Sequence, residues 1–182
     1  PGMRQLPIGI PKLIVSTVAS GDTSVYVGTS DIMMMPSIVD VSGLNKISKR
    51  IFGNAVSAMA GLLNYRFETE EDEHPLVAAT MFGVTTPAVN FAREYLEKNG
   101  YEVLVFHATG IGGRTMESLV SGGYFTGVLD LTTTEWADEL VGGILNAGEH
   151  RLEAASLAKI PQVVSLGAMD MVNFGPFDTE IG

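Results

Sequence analysis

Residues Val103 to Thr115 read VLVFHATGIGGRT. A run of branched and apolar residues leads into a glycine-rich turn, and the residues after the turn have helical spacing, so the stretch predicts a strand, a tight turn and a helix. Such a turn exposes unpaired backbone N–H groups beside the positive end of the helix dipole, where a phosphate or carboxylate binds without a dedicated cation. The stretch therefore predicts a βα unit with an anion site at its turn.

The turn does not match either of two named phosphate motifs. A Walker loop ends in Gly-Lys-Ser/Thr, whereas Gly113-Arg114-Thr115 carries arginine and lacks the upstream glycine at the required distance. The dinucleotide fingerprint needs a third glycine at the position of Thr115. The turn alone therefore indicates a class of ligand, an anion, and names no ligand.

The same strand-and-helix alternation continues along the rest of the chain. Apolar runs at both parities predict strands covered on both faces, which is typical of a parallel sheet. The predicted strands are Leu13–Val18, Leu76–Val84, Val103–Phe106, Gly127–Leu131 and Gln162–Ser165. Helical spacing lies between them, over Leu44–Leu62, Val89–Leu96, Met116–Val120, Trp136–Val141 and Leu152–Ala158. The order predicts an α/β fold, a Rossmann-like or flavodoxin-like three-layer sandwich with a mainly parallel sheet of about five or six strands.

The domain organisation follows from length and from the chain ends. At 182 residues the chain is long enough for one sizeable core, so we expect a single α/β domain over residues 1–182. It begins at Pro1 without an initiator methionine and opens with turn-rich sequence, so we expect a fragment of a larger two-domain protein whose N-terminal part is absent. Two segments stand apart. The methionine-rich Ile32–Asp40 is expected in a core or domain contact, and the acidic run Glu68–Glu73 in a solvated loop.

Composition excludes several classes of protein. A net charge of -10 argues against a nucleic-acid-binding surface, which needs clustered Lys and Arg. The absence of cysteine excludes disulfides, thiolate metal sites and cysteine catalysis, and it favours the cytoplasm. No apolar run approaches the length of a membrane span. A histidine-only metal site is not expected, because His74 and His150 lie in segments away from His107.

Ligands of open parallel sheets bind beyond the carboxyl ends of the strands, and polar residues follow every predicted strand here. Ser and Thr also cap helices at such positions, so each hydroxyl alone has a structural explanation. Together with the glycine turn they favour a phosphate-bearing ligand. The expected binding residues are Ser20, Thr85, Thr86, Thr109, Gly110, Gly112, Gly113, Arg114, Thr132, Thr133 and Asp170.

Acid/base chemistry would fall to titratable side chains at the same edge. His107 ends a predicted strand and titrates near neutrality, and Asp130 and Glu135 are the carboxylates of the next βα turn. Glu135 also fits a purely structural role opposite a helix dipole. One carboxylate together with phosphate would suffice to hold Mg²⁺.

Five segments carry a resemblance to a known family. They are Leu6–Lys12 with Ser16–Gly21, Met81–Pro87, Val105–Gly110 with Gly112-Gly113, Leu129–Glu135 and Gly167–Gly175. In these segments the chain resembles the tobamovirus-resistance-protein-like ATP-binding family. The resemblance implies an α/β domain that forms the second part of a two-part nucleotide-binding unit, with ATP near the junction and another glycine-rich segment upstream. The implied partners are the nucleotide and the N-terminal domain, and a second copy of the chain is a further candidate.

Three functions remain open at this point. The first is an ATP-binding module, with the phosphates on the backbone of Thr109–Arg114. The second is an enzyme for a phosphorylated or carboxylated metabolite, with His107 or Asp130 as acid/base. The third is an interaction protein without chemistry, in which an apolar face around Met33–Met35 takes part.

Overall fold

The computed structural model describes residues 2–65 and 74–175. The chain divides into two compact units, residues 1–71 and 72–182, and each is described by itself. The sequence analysis treats these residues as one domain, so the division into units is new information. The acidic run Glu68–Glu73 lies outside the described residues.

The second unit contains a four-stranded parallel sheet with the order β4-β3-β5-β6. All four strands were predicted to within a few residues, because each is an apolar run bounded by turn residues. Their bounds are β3 Leu76–Met81, β4 Glu102–His107, β5 Gly127–Thr132 and β6 Gln162–Gly167. The pairing of β5 with β6 is irregular between Asp130 and Thr132.

Helices cover both faces of this sheet. One face packs α3 (Thr86–Lys98) through a cluster that includes Val77, Ala79 and Val89. The opposite face packs α4 (Ile111–Ser121) and α6 (Ala154–Ala158) through a cluster that includes Met116 and Phe125. Helix α5 (Thr134–Val141) follows β5 directly. The unit is thus a three-layer α/β sandwich, and the predicted fold class is confirmed.

The strand order creates a topological switch point between β3 and β5. The chain leaves β3 towards α3 on one face, whereas α4 and α6, which flank β5 in the chain, lie on the other face. In chain order the four strands run 2-1-3-4, which is the flavodoxin-like arrangement, and ligands of such sheets bind at this point. The switch point therefore marks a position for ligand binding that sequence alone did not identify.

The first unit has two parallel strands, β1 (Leu13–Ser16) and β2 (Met33–Pro36), with the four-residue helix α1 (Ser24–Val27) between them. Helix α2 (Lys46–Asn64) follows, and Asn45 caps it by accepting hydrogen bonds from the N–H groups of Ile47 and Ser48, both at 2.9 Å. Met33, Met34 and Met35 all lie in β2, so Pro36 ends a strand. The six strands of the described chain therefore form two parallel sheets rather than one.

Lys12 is a buried cation at the start of β1. Its Nζ donates to the carbonyl oxygens of Pro7 at 2.7 Å and Ile10 at 2.9 Å, and it pairs with Asp31 Oδ1 at 2.6 Å. Burial opposes the charged form of Asp31, but hydrogen bonds from Lys12 and from the Gly9 amide outweigh it and lower the pKa of Asp31. The pair fastens the turn-rich start of the chain to the loop that precedes β2.

Candidate functional site

The carboxyl ends of β3, β4, β5 and β6 share one edge of the second unit, because all four strands are parallel. Four of the five predicted polar loops therefore lie along this edge. Ser20, on the fifth loop, is exposed in the first unit at the end of a short 3-10 turn. The edge loops of the second unit are described first, beginning with the glycine turn.

The glycine turn holds an anion, and that anion is the protein's own Glu135. The backbone N–H groups of Gly110 and Gly113 both donate to Glu135 Oε1, at 2.7 and 3.0 Å. Glu135 has no exposed surface. Its carboxylate occupies the positive end of α4, where the sequence predicted a phosphate. This corrects the expectation that phosphates bind the amides of Gly110 and Gly113, since both donors are already used.

Each glycine of the turn has an internal packing reason. Gly110 has a φ of +81°, a conformation that favours glycine, and a Cβ there would also meet the carbonyl oxygen of Asn146. A Cβ on Gly112 would fall on the carbonyl oxygen of His107, and one on Gly113 would fall on the carboxylate of Glu135. The glycines therefore let the backbone of this turn pack closely against its own protein.

Arg151 joins Glu135 to two further carboxylates. Its Nε donates to Glu135 Oε2 at 2.7 Å, one terminal nitrogen donates to Glu117 Oε1 at 3.1 Å, and the other donates to Asp130 Oδ1. The Arg151 side chain is 1% exposed, and those of Asp130 and Glu135 are 0% exposed. Burial favours the neutral guanidinium, but Asp130 and Glu135 outweigh this effect and raise the pKa of Arg151 above its ordinary value.

Neutral donors satisfy the remaining carboxylate oxygens of this cluster. Glu117 accepts from the N–H groups of Leu152 at 2.7 Å and Ala154 at 2.9 Å, so it caps the start of α6. Asp130 accepts from Gln162 Nε2 at 2.7 Å and from the Thr80 hydroxyl at 3.2 Å. We call Glu117, Asp130, Glu135 and Arg151 the arginine cluster. It is a saturated buried network, which is an arrangement typical of structural support.

The arginine cluster changes the expected roles of two carboxylates. Asp130 and Glu135 were candidates for acid/base work, but in the structure both are fully buried partners of Arg151. Sequence reasoning missed Arg151 and Glu117 because their partners lie 16 to 35 residues away along the chain. The one usable signal was Asp130 itself, a charge inside an apolar strand that requires a buried partner.

Threonine hydroxyls close the crevice between β3 and β5. The hydroxyls of Thr85 and Thr132 lie 2.6 Å apart, and Thr132 also donates to the carbonyl oxygen of Thr80 at 3.0 Å. Thr133 donates to the carbonyl oxygen of Ser165 at 2.8 Å. Thr85, Thr132 and Thr133 therefore hold neighbouring edge loops together, which is the structural explanation that the sequence left open for each hydroxyl.

Other predicted residues lie on the surface of the same edge. His107 is exposed at the end of β4, and its ring lies 5.6 Å from that of Phe82, centroid to centroid. Arg114 and Asp170 are exposed, and Thr109, Gly112 and Thr86 are half-buried. The structure thus places His107 beside the loop that follows β3, on the side of the switch point where α3 begins.

The start of α3 differs from the start of α4. No acidic residue lies in its first turn, and Thr85 at the N-cap makes no side-chain capping hydrogen bond. The preceding Gly83 is exposed, and a Cβ built on it would have nothing within 4 Å. Within the described part of the sheet edge, this helix start has the open surroundings that the glycine turn lacks.

Comparison with known proteins identifies the family. Residues 1–68 match the model described as "Uncharacterised protein family (UPF0261) N-terminal domain", and residues 74–180 match the C-terminal domain of the same family. No helix within residues 2–65 and 74–175 has the length and apolar character needed to cross a membrane.

Individual relatives extend this result. A UPF0261 protein of Clostridium tetani is 62% identical over 177 residues, which are 97% of this chain and 44% of that protein. The ToMV resistance protein Tm-1(GCR237) of Solanum lycopersicum is 56% identical over 182 residues, which are 97% of this chain and 24% of that protein. A UPF0261 protein of Mesorhizobium japonicum is 51% identical over 173 residues, or 43% of its length. The chain spans less than half the length of these relatives. The predicted family resemblance is confirmed, and the chain belongs to the UPF0261 family.

Proposed function

We propose that the chain is a nucleotide-binding part of its protein, that the nucleotide is ATP, and that its phosphates bind the Gly83–Thr86 turn at the start of α3. The observation that carries the proposal is the contrast between two helix starts at one sheet edge. Helix α4 begins on the carboxylate of Glu135, whereas α3 begins with no acidic residue in its first turn.

The position of this turn supports the assignment. It follows β3 at the switch point between β3 and β5, where α/β sheets of this order bind their ligands. The first-turn N–H groups of a 13-residue helix carry the positive end of its dipole. The open space at Gly83 lets a phosphate approach the backbone closely, which a side chain would prevent.

Neighbouring side chains supply the rest of the proposed site. The Thr86 hydroxyl lies on the first turn of α3, and the exposed His107 ring lies against Phe82 beside it. Asp170, exposed on the loop after β6, is the carboxylate that this edge offers to phosphate-bound Mg²⁺. Because the chain spans 44% of its Clostridium tetani relative, the proposal assigns the opposite wall of the cleft to the remaining length of such proteins.

Titration of the ¹⁵N-labelled chain with ATP and Mg²⁺ tests this proposal, because amide shifts detect millimolar binding by one wall of a cleft. We expect saturable shifts at Gly83, Thr85 and Thr86. Gly83→Val should abolish them and leave the ligand-free melting temperature unchanged, since the added side chain meets open space.

Arg114→Gln serves as the control, because Arg114 lies on α4 and should not affect ATP binding at α3. Two outcomes contradict the proposal. One is the absence of shifts at millimolar ATP, and the other is a set of shifts confined to Thr109–Arg114.

A further inference from the structure

A groove of about 460 Å³ runs between α4 and the segment that leads into α6. Its volume lies within the range of small-molecule sites. Arg114, Ser118 and Ser121 form the α4 wall, and their spacing places them on one helix face. Ala147, Ala154 and Leu157 contribute apolar surface on the other side.

The charged groups of the groove are satisfied except at Arg114. Glu117 is bound by Arg151 and by two backbone N–H groups, and His150 lies 3.2 Å from Glu153. Arg114 is exposed and forms no ion pair with any residue in 2–65 or 74–175. One guanidinium therefore remains available at this site for an anion.

The groove has a charged end and an uncharged end. Both α4 and α6 run away from the carboxyl edge of the sheet, so Arg114 and His150 lie near that edge, whereas Ser121 and Leu157 lie towards the other end. The seven residues from Arg114 to Ser121 span about 10 Å of helix. Leu157 is 77% exposed at the uncharged end.

We propose that this groove binds an elongated small molecule with a carboxylate at one end and an apolar body. The carboxylate pairs with Arg114. The apolar body lies along Ala154 and Leu157, beside the hydroxyls of Ser118 and Ser121. This site is separate from the proposed ATP site at α3.

Trp136 provides a local reporter for the test. It is the only tryptophan of the chain, and its indole N–H donates to the carbonyl oxygen of Arg151 at 3.0 Å, directly behind the groove. The probes are hexanoate, hexanol and hexylamine, which share a six-carbon chain and differ in charge. We expect hexanoate to shift the Trp136 indole signal and the groove amides saturably, hexanol to bind more weakly, and hexylamine to bind least.

Two variants distinguish this site from unspecific binding. Arg114→Gln should weaken hexanoate binding about three- to five-fold, as expected for an exposed ion pair, and leave hexanol binding unchanged. Ser118→Trp should fill the groove and abolish binding of both. Equal binding of hexanoate and hexylamine, an unchanged hexanoate affinity in Arg114→Gln, or retained binding in Ser118→Trp would overturn the proposal. Because Arg114→Gln should retain ATP binding, its two readouts separate this proposal from the proposed function.

Discussion

At the scale of single residues, Arg151 has the most consequence for the second unit. One buried guanidinium contacts carboxylates from α4, β5 and α5, and no other cation among the described residues contacts any of the three. A buried ion pair adds little net stability, but removal of one partner leaves charge without compensation in the interior. The consequences of substitution at this position therefore exceed those at any exposed arginine.

We predict that Arg151→Met lowers the free energy of unfolding by about 3–5 kcal/mol, because Asp130 and Glu135 then stay buried without their cation. Urea unfolding measures this loss. Arg114→Met is the control, and its exposed position predicts a change within about 0.5 kcal/mol. Similar losses for both variants would contradict a structural role specific to Arg151.

Asp31 gives a prediction for the first unit. Its lowered pKa contributes stability that is present above the pKa of the unfolded chain and is lost as pH falls through the folded pKa. A carbon-13 titration should find the Asp31 carboxyl below its ordinary pKa. Lys12→Met should raise that pKa, because it removes the ammonium 2.6 Å from Oδ1. An unchanged value in Lys12→Met would show that the pair does not determine the titration.

At the scale of elements, the βα turns explain where sequence reading succeeded and where it failed. Strands were predictable because apolar runs between turn residues are a local signal. The start of α4 was not, since apolar spacing begins at Met116 whereas the helix begins at Ile111. Its glycine-rich first turn is held by Glu135, 25 residues beyond Gly110 in the chain, and such tertiary support leaves no local trace.

The glycines of two turns should respond differently to the same substitution. Gly112→Ala places a Cβ on the carbonyl oxygen of His107, so we expect a loss of about 1–3 kcal/mol. Gly83→Ala meets open space and should change stability by less than about 0.5 kcal/mol. Thermal or urea unfolding of both variants measures the difference, and an equal effect would contradict the packing explanation.

At the scale of the whole chain, local sequence predicted the layers but not the division of the strands. The sequence predicted one sheet of about five or six strands, and the structure has six strands in sheets of two and four. Strand order depends on long-range crossovers that no local pattern encodes. The same reason hid the candidate site, because the switch point exists only once β5 lies beside β3.

Hydrogen exchange should reveal this order in the second unit. β3 and β5 each pair on both sides, whereas β4 and β6 pair on one side, and β6 exposes Val163, Val164 and Leu166. We therefore expect the slowest exchange in β3 and β5 and faster exchange in β6, because local opening is easiest at edges. Protection of β6 equal to that of β5 would contradict the edge assignment in solution.

The carboxylate within the glycine turn also constrains how this loop can change over time. Loss of Glu135 leaves two backbone donors unsatisfied and removes one partner of Arg151, whereas loss of Arg151 leaves Glu135 uncompensated. Each single replacement is therefore costly, and only a joint replacement preserves the balance. We expect strong epistasis between these two positions, so the loop cannot become a phosphate site by one mutation.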